Sequence, residues 1–165
     1  MTAVISNTTE QAAEQAQSQL EVIRVWHQAY QFCDNEGQDI SVLSADVQSF
    51  LKDEMDWEHD PDHVSTRDAI SELVVEDALE VKVKSDWHRL GEDSELGEYM
   101  ILLCTGGPAV RIVGDLESDQ PMTAKLEFQG WFTPWTDYGE CIGSLPAEDT
   151  EALLWYAEQF YWEQA

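Results

Sequence analysis

Between residues 8 and 32 the apolar positions return at three- and four-residue intervals, the period of a helix with one buried face. Ala13, Ala16, Leu20, Ile23, His27 and Tyr30 form the stripe, and Val22, Val25, Ala29 and Phe32 widen it. Thr8 or Thr9 is the expected cap, with Glu10 and Glu14 beside the positive helix end. Residues 34–39, centred on Gly37, read as a connection. A second helix is predicted from Ser44 to about Met55, turning Val47, Phe50 and Leu51 inward. Pro61 ends any helix that reaches it. Ser65 or Thr66 is expected to cap a third helix running to about Leu79, with Ile70, Leu73, Val74 and Ala78 as its core face.

From there the period falls to two. Val81 and Val83 alternate with Lys82 and Lys84, and three more strands are predicted over 98–104, 109–116 and 122–129. The turn-rich Thr105-Gly106-Gly107-Pro108 and residues 117–121 separate them. Ser144 and Pro146 announce a last helix over 147–163 that carries Trp155, Tyr156, Phe160, Tyr161 and Trp162. Helices, then strands, then a closing helix predict an α+β fold: N-terminal helices, an antiparallel meander of about four strands and an aromatic-rich C-terminal helix. One domain is expected over 1–165, helical and acidic in 1–80, a sheet in 81–130 and a closing helix in 147–163.

Charge changes this picture more than any motif. The chain has 34 Asp and Glu against eight Lys and Arg, a formal charge of −26. Disorder is the first alternative for such a balance. A hydrophobic share of 43%, with seven Trp, five Tyr and five Phe, supplies enough burial to argue for a folded domain. A surface this negative repels nucleic acid and anionic membranes and attracts basic proteins. Residues 1–18 hold no basic-then-apolar leader pattern, and no run of about 18 apolar residues offers a membrane span. Cys33, Cys104 and Cys141 show no paired spacing, which points to free thiols in a reducing cytoplasm.

The densest acidic stretch holds Asp53, Glu54, Asp56, Glu58, Asp60 and Asp62. If extended, its alternate carboxylates project about 6.6 Å apart, and if helical, neighbours lie about 5–6 Å apart. Either spacing is comparable to that of phosphates on a nucleic-acid strand, whose axial rise is about 3.4 Å per nucleotide. Glu72, Glu76, Asp77 and Glu80 add a second stripe from the third helix. These ten residues are the expected partner-binding set. A solvated acidic loop is the plain alternative.

Other chemistries fit less well. Asp56, Glu58 and Asp60 match the first ligands of a calcium loop, but Pro61 occupies its glycine position and Arg67 its closing glutamate position. His59 and His63 are spaced as a helical zinc pair, yet Pro61 lies between them. No metal site, cofactor or catalytic residue is therefore expected. Asp86, His88 and Cys104 are a scattered triple that a fold is able to bring together, as almost any chain of this size offers. Gly106-Gly107 stands between two strands, so a tight hairpin explains it better than a phosphate cradle. Trp131, Phe132, Trp135 and Tyr138, with the aromatics of the last helix, read as core packing and as a surface for a homodimer, to which the first helix also lends itself.

The segments 102–114 (LLCTGGPAVRIVG), 126–129 (LEFQ), 131–138 (WFTPWTDY) and Phe160-Tyr161 resemble a family of small proteins encoded on conjugative plasmids, integrated elements and phages of Gram-negative bacteria. The resemblance covers about residues 98–162, and it transfers no catalytic residue. In size and acidity the whole chain also resembles the DNA-mimicking anti-restriction and anti-CRISPR proteins of such elements. Together these likenesses imply a non-enzymatic inhibitor in the host cytoplasm. Its partner would be a basic DNA-binding protein or nucleoprotein complex, with no direct contact to nucleic acid or membrane. An acidic adaptor or chaperone for a basic protein, and a salt-adapted protein of other function, are the rival expectations.

Overall fold

In the computed structural model, which describes residues 2–35, 37–57 and 62–163, the alternation of the second half produces a sheet with two unlike faces. Its strands are β1 (Glu80–Ser85), β2 (Leu96–Cys104), β3 (Ala109–Glu117), β4 (Gln120–Pro121), β5 (Lys125–Gln129) and β6 (Thr136–Asp137). All pairs are antiparallel in the order β1-β2-β3-β5-β6, and β4 pairs the end of β3. Tyr99, Ile101, Leu103, Val110, Ile112, Leu126 and Phe128 are buried on the inner face. Gly106, at φ 102, supplies the left-handed residue of the β2–β3 hairpin. The expected α+β meander is thus the fold, with two short strands added.

Helix α1 (Thr2–Asp34) spans 33 residues, about 50 Å at 1.5 Å per residue. It lies against the inner face with α5 (Ala147–Glu158), while α2 (Ala45–Ser49) and α3 (His63–Asp77) flank its C-terminal half and the short α4 (Tyr138–Cys141) packs on β5. The helix begins at Thr2, so neither Thr8 nor Thr9 caps it. Both lie inside the helix where it crosses Gly130 so closely that a Cβ there would sit 2.9 Å from the Thr8 carbonyl oxygen. Its buried line is Ala12, Ala16, Leu20, Ile23, Trp26 and Ala29, slightly rotated from the sequence stripe. His27 and Tyr30 are half-buried at its side, against Trp155 at ring distances of 5.1 and 5.3 Å.

The predicted second helix is split. Ser44 caps α2, and a π-helical turn over Phe50–Glu54 follows, with Val47, Phe50 and Leu51 buried as expected. Asp62, rather than Ser65 or Thr66, caps α3 by accepting from the Ser65 amide at 3.0 Å. The last helix stops at Glu158, five residues early. Beyond it the chain folds back, so that Trp162 is buried on Tyr99 and donates from Nε1 to the Ala157 carbonyl at 2.9 Å. Tyr156, also buried, donates to Asp77 at 2.7 Å, tying α5 to α3. The aromatic residues of this region therefore serve the core, and Tyr161 alone among them is exposed. No helix among the described residues is long and apolar enough to cross a membrane.

Among the described residues one ion pair has a buried partner. Arg24 grips Asp149 through Nε at 2.7 Å and Nη2 at 2.9 Å, and the Asp149 carboxylate is 5% exposed. Arg24→Ala strands that carboxylate. The expected loss is about 2–3 kcal/mol, below the 3–5 kcal/mol typical of a wholly buried pair because Arg24 is partly solvated. Urea unfolding checks this. Arg24→Lys should recover only part of the loss, since an ammonium does not reproduce the two-pronged contact.

Candidate functional site

Charge is sorted between the two sides of the molecule. On the outer face of the sheet the registers and the alternation along β3 place Lys82, Lys84, Arg111 and Lys125 among Glu80, Glu98, Asp115, Glu117, Glu127 and Asp137, four cations with six carboxylates. Close pairs engage three of the cations: Lys82 with Glu80 at 3.0 Å, Lys84 with Glu98 at 3.4 Å, and Arg111 with Glu127 at 2.8 Å. Most of the negative excess is left to the helices and loops.

There the carboxylates converge at a groove of about 430 Å³ between α1 and the α2–π segment. Val22, Val25, Trp26 and Phe50 form its floor, and Glu21, Asp46, Asp53 and Glu54 its rim. Local sequence explains the arrangement. Phe50 and Leu51 are drawn into the core, which leaves the adjoining Asp53 and Glu54 at the surface. Asp46 sits in the first turn of α2, where its charge favours the helix N-terminus. None of the four forms an ion pair among the described residues. A second row runs along α3, where Asp68, Glu72 and Glu76 are exposed at four-residue steps, about 6 Å of axial rise each. Asp68 has Arg67 at 3.8 Å, and Arg67 is engaged more closely by Asp34 at 3.1 Å.

The ten residues expected from sequence do not form one band. Asp53, Glu54, Glu72 and Glu76 are exposed as anticipated, and Asp56 is exposed with a left-handed backbone at φ 54. Asp62 spends its carboxylate on the α3 cap, Asp77 accepts from Tyr156, and Glu80 pairs with Lys82. Those three side chains are turned toward their own chain because the fold supplies donors beside them. Glu58 and Asp60 lie outside the described residues, as do His59 and Pro61. Glu21, Asp46 and Asp68 were not singled out from sequence. Glu21 had a readable signal, since it lies two helical turns after Glu14 and so on the same face.

Such a groove suits a Lys or Arg side chain, whose stem covers the apolar floor while its head meets the carboxylates. No group of three or more His, Cys, Asp or Glu side chains among the described residues is placed to hold a metal ion. His63 instead packs edge-on against Trp57 at 4.9 Å. Asp86 and His88 lie at the Leu96 end of β2 and Cys104 at its other end. Eight residue steps separate those ends, about 27 Å at 3.3–3.4 Å each, so the triple does not assemble. Burial pushes the Cys33 thiol up to about 11, and it lowers the His27 imidazole against the opposing influence of Glu151.

No protein-family model matches the chain, and neither does any curated protein or solved structure. The segments 102–114 and 131–138 serve the fold. Gly106-Gly107-Pro108 turns the β2–β3 hairpin, Trp135 lies 4.0 Å beneath the Arg111 guanidinium, and Tyr138 packs edge-on to Phe128.

Proposed function

We propose that this protein acts by occupancy, as an acidic inhibitor that seats on the basic nucleic-acid-binding surface of a partner protein in a bacterial cytoplasm. The sorting of charge carries the proposal. Ion pairs engage three of the four cations on the outer face of the sheet, while Glu21, Asp46, Asp53 and Glu54, none in an ion pair among the described residues, rim the α1–α2 groove, and Glu72 and Glu76 line α3. Lys and Arg that ordinarily hold phosphates would meet these carboxylates instead. Encounter would be steered by complementary fields and would weaken steeply with salt. A host defence complex that binds DNA is the partner class that the chain's likeness to anti-restriction and anti-CRISPR proteins favours. The work would need no catalysis and no cofactor.

The apolar floor of the groove favours a second reading, an adaptor that holds a basic amphipathic segment of a protein and never competes with DNA. One experiment separates the two. The tagged chain is used to capture partners from a bacterial host at about 0.15 M salt, where the Debye length is about 8 Å. Duplex DNA is expected to release the captured partner, and polyglutamate of equal charge to release it far less. A partner that DNA leaves in place would defeat the inhibitor and favour the adaptor.

A further inference from the structure

Strand β1 is an open edge. It pairs with β2 on one side and with no strand on the other among the described residues, and all six of its residues are exposed. Its inner side chains, Val81 and Val83, remain 40% and 45% exposed where the helical cover stops, and Leu79, which precedes the strand, is 59% exposed. Glu80, Lys82 and Lys84 project from its outer side. An edge with apolar residues on one side and unpaired backbone groups is a template for another strand.

We propose that the strand it accepts is β1 of a second copy, antiparallel to the first about a twofold axis through Val81. Three features of the chain select this occupant and this register. First, antiparallel partners share a face, so only registers that set valine against an apolar residue keep the two inner sides together. The axis at Val81 sets Val81 against its own counterpart and Leu79 against Val83. Second, the same register sets Glu80 of each copy against Lys82 of the other, two opposite-charge pairs and no like-charge pair. Moving the axis to Val83 would instead set Lys82 against Lys84. Third, two chains of charge −26 repel over most of their surface. Beside the β1 edge the outer sheet face is locally balanced, Lys82 and Lys84 pairing with Glu80 and Glu98, so it is where two copies approach with the least opposition from their surplus. Lysines on an edge usually guard it against pairing. Here each Lys82 finds a glutamate across the axis. The result is one sheet continuous through two protomers.

Sedimentation equilibrium at about 0.15 M salt, where charge repulsion is screened beyond about 8 Å, is expected to give twice the chain mass. Val81→Cys in a Cys141→Ser background should form an interchain disulfide on mild oxidation, because paired strands hold opposite Cα atoms about 4.5–5.5 Å apart, within disulfide reach. Ser85→Cys should not, since its counterpart would lie about 27 Å away along the strands. Glu80→Lys is expected to weaken the dimer at least tenfold by setting lysine against Lys82, and Glu80→Lys with Lys82→Glu to restore it. This double variant also keeps the ion pair within each chain, so misfolding is separated from lost association. A monomeric mass at every concentration would overturn the proposal. So would a dimer that Val81→Cys fails to link, or one that the charge reversal leaves unchanged. None of these measurements involves the partner of the proposed function.

Discussion

Gly114→Ala is expected to lower the unfolding free energy by about 3 kcal/mol, the upper part of the range for overpacking a closed site. A Cβ at Gly114 would fall 1.9 Å from the Thr123 carbonyl oxygen and 2.7 Å from the Tyr99 ring. Neither neighbour is free to move. The Thr123 carbonyl accepts from the Tyr99 hydroxyl at 2.6 Å, and the Thr123 hydroxyl accepts from the Asp115 amide at 2.9 Å and donates to the Asp115 carboxylate at 3.1 Å. Tyr99 is buried against Trp162, so shifting its ring would disturb the folded-back C-terminal segment. Gly97→Ala is the control. Its Cβ would meet the Asp86 side chain at 1.9 Å, and that is a flexible group on an exposed residue. It should lose less than about 1 kcal/mol. At roughly 2–4 °C per kcal/mol for a domain of this size, calorimetry should show a drop of about 6–12 °C for Gly114→Ala and little for Gly97→Ala. Equal melting temperatures for the two variants would mean that the β3–Thr123 contact is not a fixed close approach.

The sequence pattern was informative wherever one residue's surroundings are set by its neighbours in the chain. Alternation located β2 and β3 to within two residues, and the inward set Val47, Phe50 and Leu51 followed from helical period alone. Boundaries fared worse where the deciding contact is distant. Helix α1 continues past the expected caps, where Thr8 crosses Gly130, and α5 ends where Trp162 returns onto Tyr99. Neither contact leaves a local mark. Asp62 reads as surface charge because it closes a run of carboxylates. Asp caps a helix as well as Ser and better than Thr, and which of Asp62, Ser65 and Thr66 does so is set by where the helix starts after Pro61. The same limit governs the site. Asp53 and Glu54 were legible because six carboxylates crowd into ten positions. Their association with Glu21 and Asp46 was not, since packing of α1 on the α2–π segment creates it. Charge counting also cannot separate a carboxylate that faces water from one that a tyrosine or a lysine has claimed, which is why Asp77 and Glu80 looked available.

Reversing the four rim carboxylates, Glu21, Asp46, Asp53 and Glu54, to lysine is expected to weaken binding to the captured partner on the order of 100-fold, about 2.7 kcal/mol. Each reversal changes the net charge by two, so the four take it from −26 to −18. That change would slow encounter wherever the charges lie, and a matched control is needed. Glu92, Asp93, Glu95 and Glu117 are also exposed, make no ion pair among the described residues and lie away from the groove. Reversing them gives the same net charge. The control is expected to reduce the association rate several-fold and to leave dissociation unchanged, as for charges outside a contact. The groove variant should accelerate dissociation as well, since it places lysine against lysine or arginine at the contact itself. Stability argues in the same direction. Removing mutual repulsion at the rim favours the folded state, while a lysine at position 46 opposes the α2 dipole by about 0.3–1 kcal/mol. The two effects nearly offset, so the melting temperature should move by no more than about 3 °C. Binding lost from a chain that stays folded is therefore the expected signature. Equal losses in the two variants would show that total charge, and not the groove, recruits the partner.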